Sequence, residues 1–295
     1  NTSRNLYKSL LMSIFDDIDH HLPLKGFKIV VDASNGAAYK IAPQILLDLG
    51  ADVIPIACSP NGKNINLDCG STHPETLRKT VVATDSNLGI ALDGDADRIL
   101  IVDEKGGILD GDQILYILAN ANANNKSFNN KVVGTITTNS GLEVKLNDLN
   151  IDLYRSEVGD KNVYSMMKKT GAIIGGESSG HIINTEYSPT GDALLTALLI
   201  IKESIVKKSA ISDLVTGLEL LPVINENIDI EDLENITDDF LAGLANKVNN
   251  ENTDGRVIIR ASGTEPLIRI SIENNDQIAS ERILESIVNA VKENG

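Results

Sequence analysis

The chain has 295 residues, more than one ordinary core holds, and two or three domains are expected. Hydrophobic residues make up 42% and aromatics only 3%, with no tryptophan, which excludes a disordered chain and leaves Ile, Leu, Val and Ala to build the interior. A formal net charge of −16 excludes nucleic acid and anionic membranes as natural partners, and two cysteines are too few for a disulfide framework.

No apolar run reaches the ~18 residues that span a bilayer. The cysteine usage points to a reducing compartment, so a cytoplasmic location is expected. The chain opens on Asn1 rather than methionine, which is expected of a fragment, of a processed chain or of the ordered part of a longer protein.

Leu6, Leu10, Ile14 and Ile18 recur at four-residue spacing and predict an amphipathic helix over residues 4–18. A buried strand at 27–32 follows, then a turn at 33–36, a helix over 37–49 ended by Gly50, and a strand at 51–56. Residues 59–74, rich in Pro, Asn and Gly, form a long loop of the kind that often carries function. A short helix over 74–83 leads into two apolar runs, 88–92 and 99–102. Strands alternating with helices imply a mostly parallel α/β sheet.

Between those runs stands Asp93-Gly-Asp-Ala-Asp-Arg98. In extended backbone alternate side chains point the same way, so Asp93, Asp95 and Asp97 would converge. Unpartnered carboxylates at such range raise one another's pKa or draw in a cation, and an all-oxygen set suits Mg²⁺. A solvated acidic turn is the competing reading. An EF-hand loop is excluded: Arg98 occupies the position that needs a glycine, and a β-branched strand follows instead of a helix.

A second α/β unit begins near Asp110. It is expected to contain a helix over 111–121, an asparagine-rich connector, and strands at 131–135, 151–155 and 172–175. Helices over 141–148, 160–169 and 192–207 complete it. The rhythm resembles that of the first unit, but no repeat stands out in the sequence. Lys161 lies at a helix start after Gly159, where backbone N–H groups and an ammonium favour an anion; a solvated cap by Asp160 reads equally well. In Gly176-Glu-Ser-Ser-Gly-His181, an extended loop would present Glu177 and Ser179 together, an acceptor and a donor suited to sugar hydroxyls, with His181 nearby. A plain tight turn and a structural histidine are the alternatives.

After a linker at 209–216, an acidic segment over 226–239 leads to a helix ending near 248. Strands at 256–260 and 267–272 and a helix over 277–291 follow, suggesting a small α+β domain with two strands. Arg260-Ala-Ser-Gly-Thr-Glu-Pro-Leu-Ile-Arg269 joins the strands. Ser262, Gly263 and Thr264 offer hydroxyls and amides, and Arg260 and Arg269 offer bidentate donors, a set that suits phosphate; a hairpin with exposed arginines is the plain alternative. The expected fold is therefore α/β: two successive α/β domains with mixed, mostly parallel sheets, and a smaller C-terminal α+β domain. Their expected bounds are 1–108, 109–212 and 213–295.

Taken in order, the loops at 93–98, 158–161, 176–181 and 260–269 resemble those of the α-D-phosphohexomutase superfamily. Gly62-Lys-Asn-Ile-Asn66, Cys69-Gly-Ser-Thr-His73 and Thr190-Gly-Asp192 most resemble its bacterial phosphoglucosamine branch. The resemblance implies interconversion of glucosamine 6-phosphate and glucosamine 1-phosphate, an amino-sugar step toward peptidoglycan precursors, through a phosphoserine and a bisphosphorylated sugar. Related phosphomannomutase and phosphoglucomutase chemistry, or a non-catalytic phosphosugar binder, are the alternatives. It implies Mg²⁺ on Asp93, Asp95 and Asp97, with Arg98 beside the transferring group. It also implies Lys161, Glu177, Ser179 and His181 on the sugar, and Arg260, Ser262, Gly263, Thr264 and Arg269 on the non-reacting phosphate. The family's Ser-His-Asn-Pro loop does not occur here. The serine and its domain are therefore expected outside these residues, with the chain alone inactive. A homodimer is left open.

Overall fold

The computed structural model describes residues 2–18, 21–123, 125, 127–229, 236–251, 255–262 and 266–294. Two compact units result, one of residues 1–138 with 145–218, the other of residues 139–144 with 219–295. Among the described residues no helix is long and apolar enough to cross a membrane.

The first unit opens on α1 (Thr2–Ser13), shorter than the helix expected over 4–18. Its buried side is Leu11 with Ile14 and Phe15 just beyond, while Leu6 is 67% exposed. The inward side thus runs through Tyr7, Leu11, Ile14 and Phe15, which keeps Ile14 of the four-residue series and leaves Leu6 outside.

A five-stranded sheet follows, built from β1 (Lys28–Asp32), β2 (Asp52–Ile56), β3 (Leu88–Leu92), β4 (Ile99–Asp103) and β5 (Ile108–Leu109) in the order β2-β1-β3-β4-β5. β1 runs parallel to β2 and β3, whereas β4 returns antiparallel to β3. α2 (Ile41–Asp48) and α3 (Glu75–Ala83) make the crossovers. Val30, Ala91 and Val102 of the sheet pack against Leu77 and Val81 of α3, the continuous apolar run expected of strands covered on both faces.

α4 (Gly111–Asn122) leads to a four-stranded sheet of β6 (Lys131–Thr135), β7 (Asp152–Ser156), β8 (Ile174–Gly176) and β9 (Ile182–Asn184), ordered β7-β6-β8-β9. β6 is parallel to β7 and β8, and β9 is antiparallel to β8. The crossovers are α5 (Ser140–Asp148) and α6 (Asp160–Thr170), and α7 (Ala193–Lys207) follows β9. The two sheets therefore share one plan: three parallel strands in the order second, first, third, then an antiparallel fourth joined to the third by a short loop. The repeat that the sequence did not reveal is present in the topology.

The second unit holds β10 (Val223–Asp229), α8 (Asp238–Glu251), β11 (Gly255–Ala261), β12 (Leu267–Asn274) and α9 (Gln277–Asn294). Its sheet is antiparallel, in the order β10-β12-β11. Two strands were expected; β10 is the third, and it lies across the start of the segment read as acidic. Ile228 is its one buried residue, so an edge strand with a single core side chain carries little hydrophobic alternation. One face of the sheet packs Val257, Ile259, Ile268, Ile270 and Ile272 against Leu241, Ile287 and Val291 of the helices.

Candidate active site

In each sheet of the first unit the loop between the third and fourth strands carries the predicted chemistry, and the two loops meet. Arg98 and His181 form an antiparallel backbone bridge. The Ile99 N–H donates to Gly180 O at 3.1 Å. Gly180 has φ +92°, and a Cβ there would overlap the Ile99 carbonyl, so only glycine suits this joint. The joint is reinforced reciprocally. The first N–H of α4, from Gly111, donates to Ser178 O at 3.1 Å, and the first N–H of α7, from Ala193, donates to Ala96 O at 3.1 Å. One helix start thus enters each loop, α4 that of the second sheet and α7 that of the first.

The carboxylates of Asp93, Asp95 and Asp97 converge, with one oxygen from each all lying within 4.8 Å of one another. They do so through a turn, not the extended backbone expected from the spacing. Ala96 takes φ +65°, and Asp93 Oδ1 accepts the N–H groups of both Asp97 and Arg98 at 3.1 Å. Asp93 and Asp97 are half-buried and Asp95 is exposed. Burial pushes the Asp93 carboxyl above its ordinary range, opposed by the Arg98 N–H and assisted by Asp97. Mutual repulsion, the cause expected from the sequence, is thus secondary to desolvation. An octahedral shell with bonds of about 2.1 Å places neighbouring oxygens roughly 3 Å apart. Three carboxylate oxygens are the hard donors that such a cation takes.

Around this loop the scaffold is dense. Asp32, fully buried at the end of β1, accepts the Ser34 N–H at 2.9 Å and the Gly70 N–H at 3.0 Å. Burial raises its pKa. Ser34 Oγ donates to Leu92 O, the Ser71 N–H donates to the same carbonyl at 3.2 Å, and the Ala37 N–H donates to Gly94 O at 2.8 Å. The long loop at 59–74 therefore braces the acidic turn.

Opposite stands the 177–181 loop, which is also a turn: the Gly180 N–H donates to Glu177 O at 2.9 Å and the Glu177 N–H to His181 O at 3.0 Å. Glu177 is buried and Ser179 exposed, so the two do not share the common direction expected of an extended loop. Glu177 Oε2 accepts the Gly159 N–H at 3.0 Å, which ties it to the start of α6. Gly159, with no side-chain cap, precedes that helix, and Asp160 is its first residue rather than its cap. Lys161 is exposed in the first turn. His181 is 3% exposed, with Nε2 3.5 Å from Asp97 Oδ2. The structure thus gathers Asp93, Asp95 and Asp97 with His181 beside Asp97, and joins Arg98 and Glu177 to that group through backbone contacts of the two loops. Asp192 and Tyr7, absent from the sequence-based set of site residues, join it from behind: Tyr7 Oη donates to Asp192 Oδ1 at 2.9 Å. Asp192's place before an apolar helix marks it as a cap; no sequence signal marks Tyr7.

In the second unit Arg260 and Arg269 face each other directly across β11 and β12. Residues directly opposite in an antiparallel pair share a face, and on that face Arg256 pairs with the buried Glu273 at 2.7 Å. The Ser262 N–H closes the hairpin on Leu267 O at 2.8 Å. Gly263 and Thr264 lie outside the described residues.

Comparison with known proteins agrees with this plan. Three profiles of the phosphoglucomutase/phosphomannomutase family match: alpha/beta/alpha domain II over residues 11–107, alpha/beta/alpha domain III over 110–220, and the C-terminal domain over 224–290. "Phosphoglucosamine mutase 2" of Shewanella frigidimarina is 43% identical over 278 residues, covering 92% of this chain and 61% of the relative. Phosphoglucosamine mutase of Caulobacter vibrioides is 44% identical, covering 92% and 61%. The chain thus spans about three-fifths of the length of these relatives. Among solved structures, a phosphoglucomutase/phosphomannomutase family protein from Burkholderia thailandensis superposes with TM-score 0.78 at 22% identity, covering 98% of this chain and 64% of that one. Aspergillus fumigatus N-acetylphosphoglucosamine mutase, in complex with GlcNAc-6P and magnesium, superposes with TM-score 0.77 at 20% identity, covering 97% and 69%. Matched in sequence from the second to the last of the family's domains, the chain belongs to the phosphoglucomutase/phosphomannomutase family of phosphohexomutases.

Proposed function

We propose that this chain is the cation- and phosphosugar-binding part of a phosphoglucosamine mutase, which interconverts glucosamine 6-phosphate and glucosamine 1-phosphate. The observation that carries the reading is the convergence of three carboxylates in a loop joined by backbone to the Glu177–His181 loop. The 40–44% identity to proteins named phosphoglucosamine mutase supports the amino sugar.

The reaction begins with transfer from a phosphoserine, which the family resemblance puts in a domain other than the three matched here. The serine O–P bond breaks, a bond from phosphorus to a sugar hydroxyl oxygen forms, and the hydroxyl proton passes to the serine oxygen. The bisphosphorylated sugar then returns its other phosphoryl group to the serine. Such transfers depend on positioning and charge neutralisation. Asp93, Asp95 and Asp97 would hold a Mg²⁺ ion, whose charge would offset that of the phosphoserine.

The chain's own residues do the rest. Arg98, carried on the cation loop, reaches the transferring group. Glu177, with one oxygen fixed by Gly159, offers the other to a sugar hydroxyl, beside Ser179, His181 and Lys161. In the second unit Arg260 and Arg269, with Ser262, Gly263 and Thr264, take the non-reacting phosphate. Residues 1–108, 109–212 and 213–295 thus serve as cation, sugar and phosphate modules.

Calorimetric titration of the chain with Mg²⁺, and with glucosamine 6-phosphate against glucose 6-phosphate and mannose 6-phosphate, tests this. The expected result is Mg²⁺ binding abolished by Asp95→Asn, with glucosamine 6-phosphate bound most tightly. Tighter binding of glucose or mannose 6-phosphate overturns the sugar assignment, and no Mg²⁺ binding overturns the cation site.

A further inference from the structure

The starts of α4 and α7 do equivalent work in the two halves, yet they are secured differently. α4 caps itself: Asp110 accepts the N–H groups of Asp112 and Gln113, and the Gln113 side chain accepts the Asp110 N–H, a complete capping box. The equivalent third helical position of α7 is Leu195, which has no polar side chain to return such a bond. Asp192 Oδ1 accepts the Leu195 N–H at 2.9 Å, and the same oxygen accepts the Tyr7 hydroxyl at 2.9 Å. A donor from α1, distant in the chain, holds the capping carboxylate itself, not the Asp192 N–H that a capping box would bind.

What Asp192 secures is the acidic loop. The next residue, Ala193, donates its N–H to Ala96 O, inside the turn that gathers the carboxylates. The preceding residue, Gly191, lies so close to His181 that a Cβ would sit 2.5 Å from Nε2, and His181 in turn faces Asp97. One helix start therefore touches the acidic loop twice, once by backbone and once through the imidazole. Burial and the Asp192 charge both raise the Tyr7 pKa, so the phenol keeps the proton it donates.

We propose that Tyr7 and Asp192 are positioning residues for the Asp93–Arg98 loop, holding the start of α7 so that it fixes Ala96 and the His181 imidazole beside Asp97. The inference rests on the reading of the three aspartates as a cation site.

The test uses Tyr7→Phe and Asp192→Asn in the 295-residue chain, with Mg²⁺ as the probe. Two measurements apply, calorimetric Mg²⁺ affinity and amide hydrogen exchange without metal. In Tyr7→Phe, exchange at residues 93–98 is expected to rise about five- to tenfold while residues 111–115 stay protected, and Mg²⁺ affinity to fall about three- to tenfold, less than the roughly 10–100-fold loss of a partner bonded directly to a metal ligand. Asp192→Asn, which keeps the acceptor oxygen but not its charge, is expected to give a smaller change of the same kind. Wild-type exchange and affinity in both variants overturn the inference, and so does a rise in exchange spread evenly over the unit with affinity unchanged. If the unaltered chain binds no Mg²⁺, the cation reading itself has failed. If it binds and the variants match it, only the positioning role has failed.

Discussion

The two halves of the first unit have the same strand plan and opposite chemistry. In the first, the loop after the third strand bears three carboxylates and an arginine; in the second, it bears one carboxylate, two hydroxyls and an imidazole. Neither loop is extended, and each is shaped by backbone N–H groups that fold it onto a carboxylate or carbonyl. The difference teaches that topology chooses where a site stands, while a handful of loop side chains decides what it binds.

Breaking the joint between the halves has the largest effect. Gly180→Ala puts a methyl group into the Ile99 carbonyl at a left-handed φ and is expected to cost about 3 kcal/mol or more, read as a large drop in melting temperature. A wild-type melting curve would mean that the two loops are not truly packed.

Asp93→Asn sharpens the contrast on the first side. Mg²⁺ affinity should fall on the order of 100-fold, at or above the top of the range for an outer-shell partner, whereas the melting temperature should hold or rise. The sign follows from the raised pKa. The folded state keeps the Asp93 proton to a higher pH than the unfolded chain, so stability falls as pH rises through that window. The ionised group is a net cost above it. Asparagine removes the charge and keeps the acceptor for Asp97 and Arg98. A drop of several degrees would assign Asp93 a purely structural role. By the same sign, Mg²⁺ affinity should weaken on acidification while an ordinary exposed carboxylate is still ionised, by up to about tenfold per pH unit below the Asp93 pKa. Affinity constant down to the ordinary carboxylate range would contradict this.

Glu177→Gln probes the second side. Glucosamine 6-phosphate affinity should fall about tenfold, the worth of one charge-assisted hydrogen bond, with Mg²⁺ affinity unmoved. A joint loss of both would show that the division of labour between the loops is false. The smallest change is expected of Asp110→Ala. It removes a self-contained cap at a cost of about 1 kcal/mol, visible in chemical denaturation and silent in Mg²⁺ titration.

Much of this was legible in the sequence where apolar strands bracket short polar loops. The runs at 88–92 and 99–102 framed the acidic turn, and the boundaries of β6 and α6 follow directly from their patterns. What was hidden depends on contacts between distant residues. The inward face of α1 is chosen by what it packs on, so the four-residue series held Ile14 but missed Tyr7 and Leu11. β10 escaped because an edge strand with one buried side chain lacks alternation. The turned backbone at Ala96 is imposed by Asp93 accepting two amides, which spacing alone cannot announce. Tyr7 could not be connected to Asp192 at all, since the two lie 185 positions apart.

The reciprocal insertion of α4 and α7 has a consequence for recombination. A crossover between relatives placed in the connector after α4 would pair the start of one parent's helix with the other parent's loop, twice over and in opposite directions. Chimeras that look conservative, because they respect every strand and helix, would then fail at two amide–carbonyl contacts. Exchanges that carry both hairpins and both helix starts together would survive.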